Sequence, residues 1–287
     1  MPSTLRIISI GAHPADVFDQ SGGTMAHHAA QGDYVACVVL THGARVHDKV
    51  ISDSMFHRDS VPIGNDLIDL MKERSEVKAE EVRAAGKILG FEDVYFLEED
   101  DAVLLITETI VKKLAKLLRK IRPDIVLTHY PKEGDGITNA HAIAGQIALY
   151  AMNVAGGVDP DDPNPPTHSA RTFFFGSGAA SLRRSLWDSQ GGYYNDVFVD
   201  ISDVVEKKLA ALDCLASQGY GGAYARKRIE TNDGAFGISA GVPYAEGFIA
   251  SSGETHYTLP VSDYSIQSTK LSDHERMAKY SYRIKVD

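Results

Sequence analysis

The sequence predicts an α/β protein built on a parallel sheet with helices on both faces. Two observations predict it. Short apolar runs rich in β-branched residues recur through the first half of the chain, and amphipathic stretches of helical periodicity separate them. Residues 5–11 (LRIISIG) read as the first strand, and residues 22–31 (GGTMAHHAAQ) continue a helix opened before them. Residues 34–40 (YVACVVL) are the second strand. Residues 73–90 (ERSEVKAEEVRAAGKILG) form a helix that stops at Gly90, and 94–97 are the third strand. The spacing of apolar residues at 110, 111, 114, 117, 118 and 121 predicts a helix over 107–121. Residues 124–128 (DIVLT) are the fourth strand, followed by a helix over 140–152.

The pattern loosens after residue 153. Residues 159–166 (DPDDPNPP) are a stiff polar loop. Residues 172–175 and 197–201 read as further strands, and 204–217 as a helix with Ser202 and Asp203 as N-cap candidates. The last 35 residues are polar and aromatic, without helical periodicity until 273–279. The expected organisation is a main domain over 1–250 and a C-terminal extension over 251–287 that contacts a second subunit of a homo-oligomer. No internal repeat is visible.

Composition narrows the partners. The 287 residues are 44% apolar and 24% charged, enough for a sizeable core. Lys and Arg number 29 against 39 Asp and Glu, a formal net charge of −10. Such a surface repels phosphate backbones, which argues against nucleic acid and anionic membranes. A small anionic substrate held by a few local cations remains compatible with it. Two cysteines, Cys37 in an apolar run and Cys214 in a helical pattern, exclude a disulfide framework. With no signal-peptide pattern at the start and no apolar window near 18 residues, the expected location is the cytoplasm.

Chemistry is expected beyond the carboxyl ends of the strands. Three ends carry polar residues: His13-Pro14-Ala15-Asp16, Thr41-His42-Gly43-Ala44-Arg45, and Thr128-His129-Tyr130. A single histidine at a strand end is usually a satisfied structural group; convergence of several changes that weighing. His13 and Asp16 lie three apart at a strand-to-helix turn, and His141 opens the helix after the fourth strand. Two imidazoles and a carboxylate leave a coordination position open for water, the pattern of a catalytic zinc. Gly22-Gly23-Thr24 lacks the order of a dinucleotide fingerprint and reads as close helix packing. The segment 42–69, with His47, Lys49, His57 and Arg58, exceeds ordinary loop length and reads as a lid or binding loop. His27 and His28 read as packing or surface residues.

Residues 11–24, GAHPADVFDQSGGT, resemble the AHPDDE…GGT opening of the PIG-L/LmbE superfamily, known for zinc-dependent N-deacetylases. Further matches follow in order: Arg74 to Glu81 with the AAGKILG helix, Arg122-Pro123-Asp124 leading into Thr128-His129, the helix opening at His141, KKLAALDCLASQ over 207–218, and Tyr244-Ala245-Glu246-Gly247-Phe248. The resemblance spans roughly residues 5 to 250, which makes 1–250 the expected catalytic domain. It implies a Rossmann-like, doubly wound, mostly parallel sheet, with zinc or another divalent metal on His13, Asp16 and His141.

The departures from that pattern bear on the reaction. The deacetylase motif has two adjacent acids, a general base and then a metal ligand; here the base position is Ala15, and the Glu that follows is Val17. A histidine that assists the tetrahedral intermediate aligns with Thr138. Alanine cannot move a proton, and losing a base or acid costs about 10²–10⁴ in rate. One reading keeps a deacetylase acting on an N-acyl amine or amino sugar, with a base relocated to Asp19, Glu133 or Asp135, each of which also reads as a solvated charge. The other reading adds water across a polarised double bond of a small oxo-carboxylate, or removes it. The superfamily's 4-oxalomesaconate hydratase branch is similar in having a small residue before the liganding Asp and an arginine where Arg45 stands. Arg45 suits a bidentate carboxylate clamp, and reads equally as a surface ion pair. His42, His129 and Tyr130 are the remaining substrate-binding candidates. A third reading, a metal-retaining binding protein without catalysis, is disfavoured by three surviving ligands.

Overall fold

The computed structural model describes residues 4–57, 62–132, 139–176 and 195–281. Seven strands form one sheet in the order β3-β2-β1-β4-β5-β7-β6. β1 (Arg6–Gly11), β2 (Tyr34–Thr41), β3 (Asp93–Glu99), β4 (Ile125–Thr128) and β5 (Arg171–Phe175) are parallel. β7 (Ala245–Ala250) runs antiparallel between β5 and β6 (Val197–Asp200). The mostly parallel α/β sheet is the one expected; the antiparallel β7 is an addition, since its segment AEGFIA lacks a β-branched run.

Both faces of the sheet are covered, which is why β2 is continuously apolar. Cys37 and Val39 face one layer, in which α1 (Asp16–Gln31), α3 (Asn65–Leu89) and α6 (Val205–Asp213) contribute Phe18, Val82, Leu89, Leu209 and Leu212. Val38 and Leu40 face the other, where α4 (Glu108–Ile121) and α5 (Ala140–Ala155) contribute Ile110, Leu114, Leu118, Ile147 and Ala151. The sheet is therefore doubly wound. Its order reverses between β1 and β4, so the chains leaving those two strands diverge and open a crevice at their carboxyl ends.

Two glycines set close approaches around this crevice. A Cβ at Gly145 would lie 2.3 Å from the His129 carbonyl oxygen, so only glycine lets α5 pack against the exit of β4. A Cβ at Gly23 would lie 2.6 Å from Ile201, so the glycine pair serves helix packing. The backbone N–H groups of Gly23 and Thr24 also donate to buried Glu246, each at 2.8 Å.

Several elements differ from the sequence reading. α3 begins at Asn65 rather than 73, and the long segment after β2 contains a helix, α2 (Lys49–Phe56), whose N-cap Asp48 accepts from the Ile51 N–H. α6 stops at Asp213 and is followed by a 3₁₀ turn, Ala216–Gln218. Ser202 does not cap α6; its hydroxyl donates to Asp200 and accepts from the Tyr244 N–H. Two further helices, α7 (Ala223–Thr231) and α8 (Asp233–Ala240), precede β7. Between residues 251 and 281 most residues are exposed, and two short helices form, α9 (Asp263–Ser268) and α10 (Asp273–Tyr280). Cys37 is buried and neither cysteine is in a disulfide. Among the described residues, no helix is long and apolar enough to cross a membrane.

Candidate active site

The turn from β1 into α1 is folded around Asp16. The His13 N–H donates to Asp16 Oδ2 at 2.7 Å, and His13 Nδ1 lies 3.4 Å from the same oxygen. From the neighbouring strand, buried His129 brings Nε2 to 3.0 Å from Asp16 Oδ2. Asn139 caps α5 by accepting from the His141 N–H at 2.8 Å, which fixes the first turn of that helix. His141 Nε2 then stands 3.6 Å from Asp16 Oδ1, and its ring stacks on His129 at 4.2 Å. Three chain segments thus converge on one carboxylate. Burial alone would raise the Asp16 pKa, but the imidazoles of His141, His13 and His129 hold it well below the usual carboxylate range. Burial lowers the pKa of His13, against the pull of Asp16.

This arrangement fits a metal ion. Ligand atoms of His13, Asp16 and His141 all lie within 4.8 Å of one another. The Nε2 atom of His13 is buried with no hydrogen-bond partner among the described residues, an arrangement that costs stability unless something else binds the nitrogen. Two imidazoles and one carboxylate are a ligand set for zinc or a related divalent ion. His129 does not belong to that trio; it contacts Asp16 from the exit of β4.

A cavity of about 530 Å³ opens onto these residues. Ala15, next to Asp16 in the chain, lies in its wall, and further lining comes from residues 46–53 and 218–224. His47 reaches into it with its ring centroid 4.0 Å from that of His13. Asp101, at the carboxyl end of β3, orients His47: its Oδ2 lies 3.1 Å from His47 Nδ1. The same buried carboxylate accepts from the N–H groups of Arg45, Val46 and His47. Burial would raise the Asp101 pKa, yet these bonds hold it far below the ordinary carboxylate value. Below His47, Asp48 is engaged by Arg74 Nε at 3.1 Å and by the buried Lys78 ammonium at 3.4 Å. Lys78 also donates to the His47 carbonyl and to Ser217, tying the two walls together. Tyr220 and Tyr224 meet edge to face at 5.3 Å on the second wall.

The other candidates are distributed as follows. The Arg45 guanidinium pairs with Asp100 at 2.7 Å, half exposed, and does not line the cavity. His42 Nδ1 lies 3.3 Å from Oδ1 of Asp101, the carboxylate that holds His47, and His42 does not line the cavity. Asp19 is buried and paired with Arg228. Tyr130 packs edge-on against Phe174. Glu133, Asp135 and Thr138 lie outside the described residues. His27 pairs with Asp203, and His28 with Asp33. His47 with Asp101, and the tyrosine pair, are the site features the sequence reading did not assemble. The acidic run Glu98-Glu99-Asp100-Asp101 at the carboxyl end of β3 was the signal for the first.

The class defined by this fold and ligand set agrees with the comparisons. The chain belongs to the family described as PIG-L, GlcNAc-PI de-N-acetylase, whose profile matches residues 8–152. A 4-oxalmesaconate hydratase of Pseudomonas putida is 27% identical over 214 residues, covering 73% of this chain and 72% of that protein. A diacetylchitobiose deacetylase of Thermococcus kodakarensis is 28% identical over 219 residues, covering 74% and 70%. Among solved structures, the 4-carboxy-2-hydroxymuconate hydratase of Pseudomonas putida superposes with a TM-score of 0.65 at 24% identity, over 88% of this chain and 99% of that one. An N,N'-diacetylchitobiose deacetylase from Pyrococcus horikoshii gives 0.67 at 21%, over 86% and 84%. The structural likenesses speak for the fold; the sequence relatives are enzymes of two reaction classes.

Proposed function

We propose that this chain is a metal-dependent enzyme that adds water to, or removes it from, a small oxo-carboxylate. The observation that carries this reading is Ala15. It stands in the cavity wall beside Asp16, where the family's deacetylase motif has the carboxylate that serves as general base. The ligand trio is kept while that carboxylate is lost, and a hydratase is among the sequence relatives.

His13, Asp16 and His141 would hold the metal, zinc in the first instance. Bound there, zinc supplies Lewis acidity toward a substrate oxygen and lowers the pKa of water toward ~7. His129 holds Asp16 in place, and Asn139 holds the turn that presents His141. Asp101, an acceptor only, takes the Nδ1–H of His47 and leaves Nε2 as the ring nitrogen that can accept a hydrogen bond in the cavity. His47 is thereby assigned to orient the water that adds to the double bond. That water's oxygen joins one carbon and a proton joins the other, so no redox partner is required. Glu133 and Asp135 remain candidates for delivering the carbon-bound proton. Tyr220 and Tyr224 form the wall over which a flat conjugated chain would lie.

The second reading, hydrolysis of an N-acyl amine, is favoured by the family description and by the diacetylchitobiose deacetylase relative. Free-amine release from N-acetyl sugars and N-acyl amino acids separates the two. Zinc-loaded protein is expected to release none. Release that disappears in His13→Ala would make this a deacetylase with its base relocated from position 15.

A further inference from the structure

Among the described residues that line the cavity, a single side chain carries a fixed positive charge: Lys49. The neighbouring cations are engaged elsewhere, Arg45 with Asp100, Arg74 and Lys78 with Asp48, and Arg228 with Asp19. Lys49 has no ion-pair partner within 4.0 Å among the described residues. Its position is not explained by helix stability. It is the first residue of α2, and a helix N-terminus disfavours a cation. The N-cap Asp48 beside it is already held by the Ile51 N–H and by two other cations. The side chain crosses from α2 toward the second wall, where a Cβ built on Gly219 would lie 3.9 Å from Lys49 Cδ. Ser52, one turn further along α2, faces the same cavity. So does His13, whose side chain is only 7% exposed and whose Nε2 is unpartnered among the described residues. Lys49 and Ser52 are exposed at the cavity mouth, and an unpaired cation placed against helix preference there, across from the buried His13, has the character of a residue that receives an anionic ligand.

We propose that Lys49 is the anion-holding residue of this cavity, and that the substrate is a dicarboxylate or higher polyacid. One oxo-carboxylate end faces His13, Asp16 and His141, and a remote carboxylate docks on the Lys49 ammonium with the Ser52 hydroxyl beside it. This assigns to Lys49 the clamp that the sequence suggested for Arg45. Asp53, four residues along the same helix, also lines the cavity but makes no ion pair with Lys49 within 4.0 Å; an exposed i, i+4 pair of that kind would in any case be weak and readily exchanged for a ligand carboxylate. The proposal rests on the oxo-carboxylate reading above for the end that meets the metal ligands.

The test uses two probes of equal chain length that differ at one end, 2-oxoglutarate with a terminal carboxylate and 2-oxovalerate with a methyl. Each is titrated into zinc-loaded full-length protein by calorimetry. Wild type is expected to bind 2-oxoglutarate about tenfold more tightly, the size of one charge-assisted contact in a partly solvated cavity. Lys49→Met is expected to bind the two alike, Lys49→Arg to keep the preference, and zinc affinity to be equal in all three. Added salt should shrink the preference in wild type. A preference that survives Lys49→Met, or no preference in wild type, overturns the proposal. If the Lys49-dependent preference is found but conjugated oxo-acids are not hydrated, the anion site stands and the hydration reading falls.

Discussion

The imidazole of His47 lies 4.0 Å from that of His13, centroid to centroid, while its Nδ1 is held by Asp101 at 3.1 Å. The pairing joins two loops that follow different strands, the one after β2 and the one after β3. Asp101 is the hinge of that arrangement, since it also accepts three consecutive backbone N–H groups of the β2 loop. A carboxylate in this position orients its histidine toward the cavity and fixes the protonated nitrogen.

Removing that orientation should cost rate without costing metal. Asp101→Asn and His47→Ala are each expected to lower turnover by about 10–100-fold, the usual effect of deleting an orienting partner. Zinc stoichiometry should stay at the wild-type level in both. In a double-mutant cycle the combined variant should be little worse than either single one, because Asp101 acts through His47. Additive losses would mean that the two residues act separately.

Asp101 also predicts a pH dependence of stability. Its folded-state pKa is depressed relative to about 3.9 in an unfolded chain. Its contribution is therefore fully present above that unfolded value and is lost as the pH falls toward the folded one. Denaturant titrations at pH 7 and pH 3 should show a larger drop for wild type than for Asp101→Asn. Equal drops would show that Asp101 is not ionised preferentially in the folded state.

Asn139 should matter to both stability and metal. Asn139→Ala removes the N-cap of α5, worth about 1 kcal/mol, and frees the turn that presents His141. Chemical denaturation should register the first effect, and competition with a chromogenic chelator should register weaker zinc binding. Unchanged zinc affinity would show that His141 is held by other contacts.

Buried Lys208 is the test of the scaffold behind α1. Its ammonium lies 2.7 Å from Asp233 and 2.8 Å from Glu246, with all three side chains nearly inaccessible. Although burial disfavours the charge, the two carboxylates raise the Lys208 pKa, while burial pushes Asp233 up to about 7. Glu246 is also the acceptor for the Gly23 and Thr24 N–H groups, so the lysine anchors α1, the helix that starts with Asp16. Lys208→Met leaves the acids without their cation and is expected to destabilise by about 3–5 kcal/mol. A melting temperature equal to wild type would contradict this role.

What the sequence made legible follows from where periodicity is strong. β1, β2 and β4 are buried on both faces and read as continuous apolar runs; α4 is half-buried and carries its apolar stripe openly. The His13, Asp16 and His141 convergence was also legible, because strand ends and helix starts in a doubly wound sheet are fixed by topology. α2 was hidden, since KVISDSMF is short and follows a capping Asp48 that reads as one more loop residue. The tyrosine wall was hidden for a different reason: Tyr220 and Tyr224 reach the cavity only through the packing of α6 and α7 against α1 and α3. Arg45 shows the limit of reasoning from residue type. Its position beside the crevice was right for a clamp, but Asp100, one residue before the hinge at Asp101, takes the guanidinium.

Hydration is read most directly from the ultraviolet absorbance of a conjugated oxo-carboxylate incubated with zinc-loaded protein. Hydration of the double bond removes the conjugation, so the predicted result is a time-dependent loss of absorbance that vanishes in His13→Ala and His141→Ala and is restored to wild-type protein when zinc is returned after chelation. Absorbance that stays constant across a panel of such acids, from protein shown to hold zinc, would contradict it.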